Sequence, residues 1–325
     1  MAAAFFADPG LMSVSAVVSR PCADNGNWKQ LNAARLILAC VVAVSHAFHI
    51  FLVPLGYHSA HPALQIMGKV AVFLFFVLSG FVIGRSLQLR RDGLLRFLAR
   101  RSLRIFPPLV ASLVLVLLLG AALDMMQIDR SARPQAGVMA HAFEYRLQSF
   151  FGALMTFGLR GQLASPANAS LWSLTLELQC YLAIGLVAQL FISASAMLRV
   201  ATLLALALVL ARMSDGMRDC WPYYAAFAAG AVMSLWIRRL PRLLPSLDLD
   251  FSYSLFIMHF PVMLAFFFLF YTPTFPGTPA AILIAVLASA ASFAVALASA
   301  RWIESLRWQT LPPVAPQETR MTQKA

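Results

Sequence analysis

Apolar residues gather into long runs near 31–53, 66–86, 104–123, 171–192, 198–212, 221–237, 251–271 and 279–300, separated by polar or Arg-bearing links. A hydrocarbon core roughly 30 Å thick takes about 20 apolar residues per helical span. These runs predict an all-α fold, a polytopic transmembrane helical bundle of about eight spans. A further apolar stretch, 150–159, is only about ten residues long and better suits an interfacial or re-entrant piece. Residues 1–30 read as an N-terminal tail, 31–304 as the membrane domain, and the polar, Pro-containing stretch 305–325 as a C-terminal tail. No internal repeat is evident.

Composition agrees with that reading. The 325 residues are 61% hydrophobic and 12% charged, whereas soluble domains are about 25% charged. This excludes a single water-soluble core and leaves no length for a soluble catalytic domain. A net charge of +12 would suggest nucleic acid in a soluble protein. Here the basic residues lie between apolar runs, so the bias of Lys and Arg toward cytoplasmic loops explains them better. Arg85, Arg90, Arg91, Arg96, Arg100, Arg101 and Arg104 are opposed by Asp92 alone between the second and third runs. That link is expected in the cytoplasm. Alternation then puts Arg238, Arg239, Arg242, Arg301, Arg307 and both termini on the same side. The first 19 residues carry no Lys or Arg, so a secretory leader is not expected. Cys22, Cys40, Cys180 and Cys220 share no metal-ligand spacing, and neither a disulfide framework nor a metal site is expected.

Ionisable side chains are costly in hydrocarbon and so are functional candidates by default. Away from the run ends these are His46, His49, Glu177 and His259, with Arg35 eleven residues before His46. Counted from the ends of their runs at about 1.5 Å per residue, His46 and Glu177 fall at nearly the same depth. They are expected to form a charge-assisted pair in which the carboxylate orients the imidazole. By the same count His259 lies well away from His46. A purely structural role remains open for each histidine, most of all for His49.

Several short motifs occur in order. They are Leu31-Asn32-Ala33-Ala34-Arg35 with His46; Phe75-Phe76-Val77-Leu78-Ser79-Gly80-Phe81; and Arg101-Ser102-Leu103-Arg104-Ile105-Phe106-Pro107. Two follow: Leu171-Trp172-Ser173-Leu174 with Glu177 and Tyr181, and Ser252-Tyr253-Ser254-Leu255 with His259 and Pro261. Together they resemble acyltransferase family 3, bacterial multi-pass membrane O-acyltransferases that act on surface carbohydrates, and they cover about 31–304. Family members commonly have ten spans. This chain departs by lacking a pair between the Trp-Ser-Leu and His-x-Pro motifs. Phe73 stands where many relatives carry a polar residue, Cys180 replaces a common aromatic, and no Pro follows Glu304.

The resemblance implies acyl transfer, most often of acetyl, from cytoplasmic acyl-CoA to a hydroxyl of a sugar, exopolysaccharide, lipopolysaccharide or lipid-linked glycan. The setting would be the cell inner membrane. Acyl-CoA is a co-substrate in this scheme, and no permanently bound cofactor is expected. An alcohol needs a base, and a histidine with a pKa near the working pH suits the task. His46 is expected as that base, with Glu177 as its orienting or acceptor-contacting partner; an acyl-histidine intermediate also fits. Arg101 and Arg104 share a helix face at i,i+3 and, with Arg35, are expected to clamp the donor's phosphates. Such an Arg cluster also fits a purely topological role. Ser79 beside Gly80 reads either as donor-site space or as a place for close helix approach. His259 is placed along the donor path, and Trp172, Ser173 and Tyr181 at the acceptor site. Glu304 is expected to pair with an Arg and is given no catalytic role. The competing reading is a proton-coupled transporter whose buried His and Glu form a relay. Against it stands the absence of matching Gly/Pro-broken helices in two halves.

Overall fold

The computed structural model describes residues 25–90, 93–129, 147–159, 163, 167–216, 220–237, 243–245, 247, 250–271 and 276–310. Within them the chain forms α1 (Asn25–Phe51), α2 (His61–Arg90), α3 (Leu94–Met125), α4 (Leu147–Met155), α5 (Leu171–Ile192), α6 (Ala196–Gly216), α7 (Trp221–Trp236), α8 (Ser252–Phe270) and α9 (Thr278–Thr310). Seven of these are long and apolar enough to cross a membrane. The exception among the expected spans is α7, whose 16 residues reach only about 24 Å. The chain is a multi-pass membrane protein with an all-helical bundle. Helix α1 begins before residue 31 and α9 runs past 304, so the expected tails are partly helical. Cys22 lies outside the described residues; Cys40 and Cys180 are free thiols.

Polar contacts fix the order of the ends. At one end of the bundle Leu247 N–H donates to Lys29 O, Leu243 N–H to Gln30 Oε1, and Gln88 Nε2 to Ser234 Oγ. At the other, the Tyr271 hydroxyl donates to Phe51 O at 2.5 Å, and Tyr57 meets Thr278 at 3.1 Å. The first is called here the arginine end, since Arg96, Arg100, Arg101 and Arg104 open α3 there. Apolar side chains of α6, including Met197, Val200, Leu203, Leu204 and Leu208, are exposed, as suits a helix facing lipid. In contrast α8 is buried almost throughout and forms the axis of the bundle beside α1, α3 and α9.

Two local features shape the interior. Helices α2 and α7 touch backbone to backbone: a Cβ on Gly80 would lie 1.9 Å from Phe227 O, and one on Gly230 would lie 2.0 Å from Val77 O. Gly80 therefore serves close helix approach, one of its two expected readings. The second feature is the entry to α5. Helix α4 has nine residues, too few to cross, and the turn after it packs into the bundle. Gln179 Nε2 donates to Gly158 O at 2.8 Å and Leu163 N–H to Thr175 Oγ1 at 2.9 Å. Ala167, Asn168 and Ser170 are almost fully buried. The start of α5 thus lies inside the bundle and not at its surface, which fits the re-entrant reading of 150–159.

Candidate functional site

The ionisable residues form two layers, stacked along α1, α3 and α8. The first lies at the arginine end. Arg35 of α1 is buried at 6% exposure, and Arg104 of α3 donates through Nη2 to Asp250 Oδ2 at 2.7 Å. Arg35 Nη1 approaches the same oxygen at 3.7 Å. The other carboxylate oxygen of Asp250 accepts from Ser252 Oγ at 2.5 Å. Burial pushes the Asp250 carboxyl up, but Arg104, Arg35 and the Ser252 hydrogen bonds outweigh it and hold it below the usual carboxylate value. Arg101 lies one turn before Arg104, with its guanidinium over the Phe97 ring at 5.6 Å and the Tyr181 ring at 6.0 Å. Arg35 lies over Phe75 at 5.9 Å. Three buried polar atoms in this layer, Arg35 Nε, Arg101 Nε and the Tyr253 hydroxyl, have no hydrogen-bond partner among the described residues.

Glu177 belongs to this layer. Its Oε1 accepts from Ser79 Oγ at 2.6 Å and from the Tyr181 hydroxyl. Tyr181 in turn lies beneath Arg101, so Ser79, Glu177, Tyr181 and Arg101 form one continuous chain of contacts. The expected His46–Glu177 pair is not formed. The expected depth of Glu177 requires α5 to start at the membrane surface, whereas that start is buried inside the bundle. Glu177 is therefore carried toward the arginine end.

The second layer is built around His46. Arg35 and His46 are eleven residues apart, which is three turns of α1, so they share a face about 16 Å apart. The neighbour of His46 is His259 of α8, with ring centroids 5.2 Å apart; Phe260 stands edge-on at 5.1 Å. The expectation that His259 lies far from His46 is thus corrected. Depth counted along each run separately carries no information about neighbours: α1 and α8 are parallel, and Arg35–Asp250 and His46–His259 are successive rungs between them. His259 Nδ1–H donates to Leu255 O at 3.0 Å, which assigns the proton to Nδ1 and leaves Nε2 as an acceptor. Nε2 faces Ser170 Oγ at 3.5 Å. His46 makes ring contacts and no hydrogen bond among the described residues.

Pro261 explains why α8 holds this layer. A proline lacks the N–H that would bond four residues back, and so the carbonyl of Ile257 needs other donors. Asn168 Nδ2 supplies one at 2.6 Å and Ser112 Oγ another at 3.1 Å. The same segment then brings Ser170 to His259. Asn168, Ser112 and Asp250 were missed by sequence reasoning. Asn168 follows Pro166 in a short polar link, and Asp250 resembles a solvated carboxylate at a helix start; the only available signal was the proline within an apolar run.

The remaining candidates are more peripheral to the two layers. Trp172 packs edge-on against Tyr223 at 5.1 Å, and Ser173 Oγ donates to Ser170 O at 3.2 Å. His49 Nδ1 meets His61 Nε2 at 2.9 Å with the rings stacked, so it has a structural partner near the opposite end. The Glu304 side chain lies outside the described residues. Among the described residues no group of three or more His, Cys, Asp or Glu side chains forms a metal cluster.

Two known proteins match part of the chain. An O-acetyl transferase of Shigella phage Sf6 is 30% identical over 174 residues, covering 47% of this chain and 44% of that protein. Nodulation protein 10 of Rhizobium leguminosarum bv. viciae is 26% identical over 182 residues, covering 52% and 46% respectively. The matched part of the chain thus spans less than half the length of either relative. No solved structure matches. The acyltransferase family 3 model, described as an acyltransferase domain, matches residues 28–247, a segment that holds Arg35, His46, Ser79, Arg101, Arg104, Glu177 and Tyr181. Since that match takes in more than half of the sequence and most of both layers, the chain belongs to acyltransferase family 3.

Proposed function

We propose that this protein is a membrane O-acetyltransferase that carries acetyl from acetyl-CoA at the arginine end to a sugar hydroxyl at the histidine layer. The observation that carries the reading is the stacking of two layers on shared helices. Arg35 and His46 lie on one face of α1, with Asp250, just before α8, and His259, on α8, beside them. Buried guanidinium groups with unpartnered N–H groups suit the phosphates of a nucleotide-linked donor. A partly buried histidine whose ring nitrogens make no hydrogen bond among the described residues suits proton transfer. The acetyl group is supported by the activity named for the Sf6 relative. The sugar, exopolysaccharide, lipopolysaccharide or lipid-linked glycan acceptor rests on the family resemblance.

In this scheme Arg35, Arg101 and Arg104 hold the donor's phosphates, and the acyl thioester reaches toward His46. A ring nitrogen of His46 takes the proton of the acceptor hydroxyl while that oxygen attacks the thioester carbonyl. The C–S bond breaks, and the departing thiolate of coenzyme A receives the proton from His46. His259, whose Nδ1–H donates to Leu255 O, stands beside it and limits the motion of the His46 ring. Glu177 acts on the donor side, where it holds Ser79 and Tyr181 next to Arg101. Trp172 and Ser173 flank the acceptor side near Ser170. The protein works in the cell inner membrane with the arginine end and both termini in the cytoplasm, where acyl-CoA is made.

The test is transfer of radiolabelled acetyl from acetyl-CoA in membranes carrying the wild type or His46→Ala. Wild-type membranes are expected to label saccharide or glycolipid, and His46→Ala to lose about 10²-fold or more of that rate. Equal labelling by both would remove His46 as the base. Wild-type membranes that take up a solute without consuming acetyl-CoA would instead favour a transporter.

A further inference from the structure

Asp250 is not accounted for by the scheme above. It lies just before α8 and touches two of the three arginines, from helices α1 and α3. A carboxylate in a phosphate site is at first sight a handicap, because it repels the anion the site is meant to hold. We propose that Asp250, tethered by Ser252, is a positioning residue that sets the spacing and aim of the Arg35 and Arg104 guanidinium groups for the donor's phosphates. This inference rests on the acyl-CoA reading of the site.

The geometry favours aiming over simple neutralisation. Oδ2 lies 2.7 Å from Arg104 Nη2 and 3.7 Å from Arg35 Nη1, so a single oxygen bridges two helices. Oδ1 is fixed from behind by Ser252 Oγ at 2.5 Å, which makes the carboxylate a held strut and not a mobile counter-ion. A guanidinium has five N–H donors, and this contact occupies one on Arg104. The rest remain for a ligand. Arg35 Nε, Arg101 Nε and the Tyr253 hydroxyl stay buried and unpartnered despite Asp250. The carboxylate therefore orders the cluster without satisfying it, and a further group rich in acceptor oxygens would complete it.

Neutralisation and positioning predict opposite results. If Asp250 only balances charge, its removal leaves a more positive site that binds phosphates more tightly. If it aims the arginines, its removal loosens binding. The experiment is equilibrium binding of radiolabelled coenzyme A to the purified full-length protein in detergent, for wild type, Asp250→Asn, Asp250→Glu and Ser252→Ala. Loss of an aimed charge-assisted contact is expected to weaken binding by about tenfold in Asp250→Asn and roughly threefold in Ser252→Ala. Asp250→Glu, which keeps the carboxylate, is expected to recover most of the affinity. Rescue by Glu is a readout that a merely structural role of the Asn variant would not give. If Asp250→Asn does not fold, Ser252→Ala carries the test, since it leaves the charge in place and removes only the tether. Binding by Asp250→Asn or Ser252→Ala as tight as wild type, or tighter, overturns the inference while leaving the acyl-CoA reading intact. A wild type that does not bind coenzyme A overturns both.

Discussion

At the scale of single residues, the carboxylates explain most of the polar interior. Glu177 Oε1 serves two buried hydroxyls, Ser79 and Tyr181. Glu177→Ala leaves both without an acceptor, at a cost of about 1–3 kcal/mol for each stranded group. Glu177→Gln keeps a carbonyl acceptor, and is expected to lie within about 1 kcal/mol of the wild type. Thermal unfolding of the purified variants in detergent checks the ranking; an Ala variant as stable as the Gln variant would refute it. Asp250 makes a pH prediction. Its carboxyl is held below the usual value in the folded protein, so the contribution of the Arg35–Asp250–Arg104 cluster is fully present above the ordinary carboxylate range. It is lost as pH falls below that range and through the lowered folded value. The stability gap between wild type and Asp250→Asn should therefore be wide at neutral pH and close in acid, and a gap that widened on acidification would contradict the assignment. From sequence, Glu177 was legible as a candidate because a charge within an apolar run is conspicuous. Asp250 was not, because a carboxylate just outside a run looks like any solvated helix start.

At the scale of helices, chain length in apolar runs was a dependable signal, and depth within those runs was not. Each expected span corresponds to a helix, since about 20 apolar residues have few alternatives in a bilayer. The depth of Glu177 failed because the link before α5 turns into the bundle, and a count along one helix carries no information about where a neighbour begins. Helix contacts were partly legible: Ser79-Gly80 signalled close approach, and Gly80 meets the Phe227 backbone. Gly80→Ala must push α2 from α7 and is expected to cost about 1–3 kcal/mol. Gly152 of α4 is the control, since a Cβ there meets nothing within 4 Å. Gly152→Ala is expected to be neutral or to stabilise by up to about 1 kcal/mol. Unfolding midpoints of the two variants separate these outcomes, and equal losses at both positions would argue against backbone contact between α2 and α7.

At the scale of the whole molecule, the two layers have meaning only with a direction across the membrane. The arginine end gathers the starts of α1, α3, α6 and α8 and the finishes of α2, α5, α7 and α9, as alternating passage through a bilayer requires. Arg96, Arg100, Arg101, Arg104, Arg199 and Arg301 lie toward it, while His58 and Tyr57 lie in the turn at the opposite end. Short loops rich in Lys and Arg stay in the cytoplasm. The expected orientation therefore puts residue 310 and the arginine layer inside and the turn 56–60 outside. A fluorescent protein fused after residue 325 should fold and fluoresce, whereas alkaline phosphatase at the same place should be inactive. A cysteine introduced by Ser59→Cys, in a background with Cys22, Cys40, Cys180 and Cys220 replaced, should react in intact cells with a maleimide that cannot cross the membrane. The reverse pattern would put the guanidinium cluster on the side where no acyl-CoA is made, and the donor assignment would fall with it. Agreement would leave the histidine layer about 16 Å along α1 from the cytoplasmic cluster. That depth is the one the proposed scheme requires, in which a thioester held by its phosphates on one side meets a hydroxyl arriving from the other.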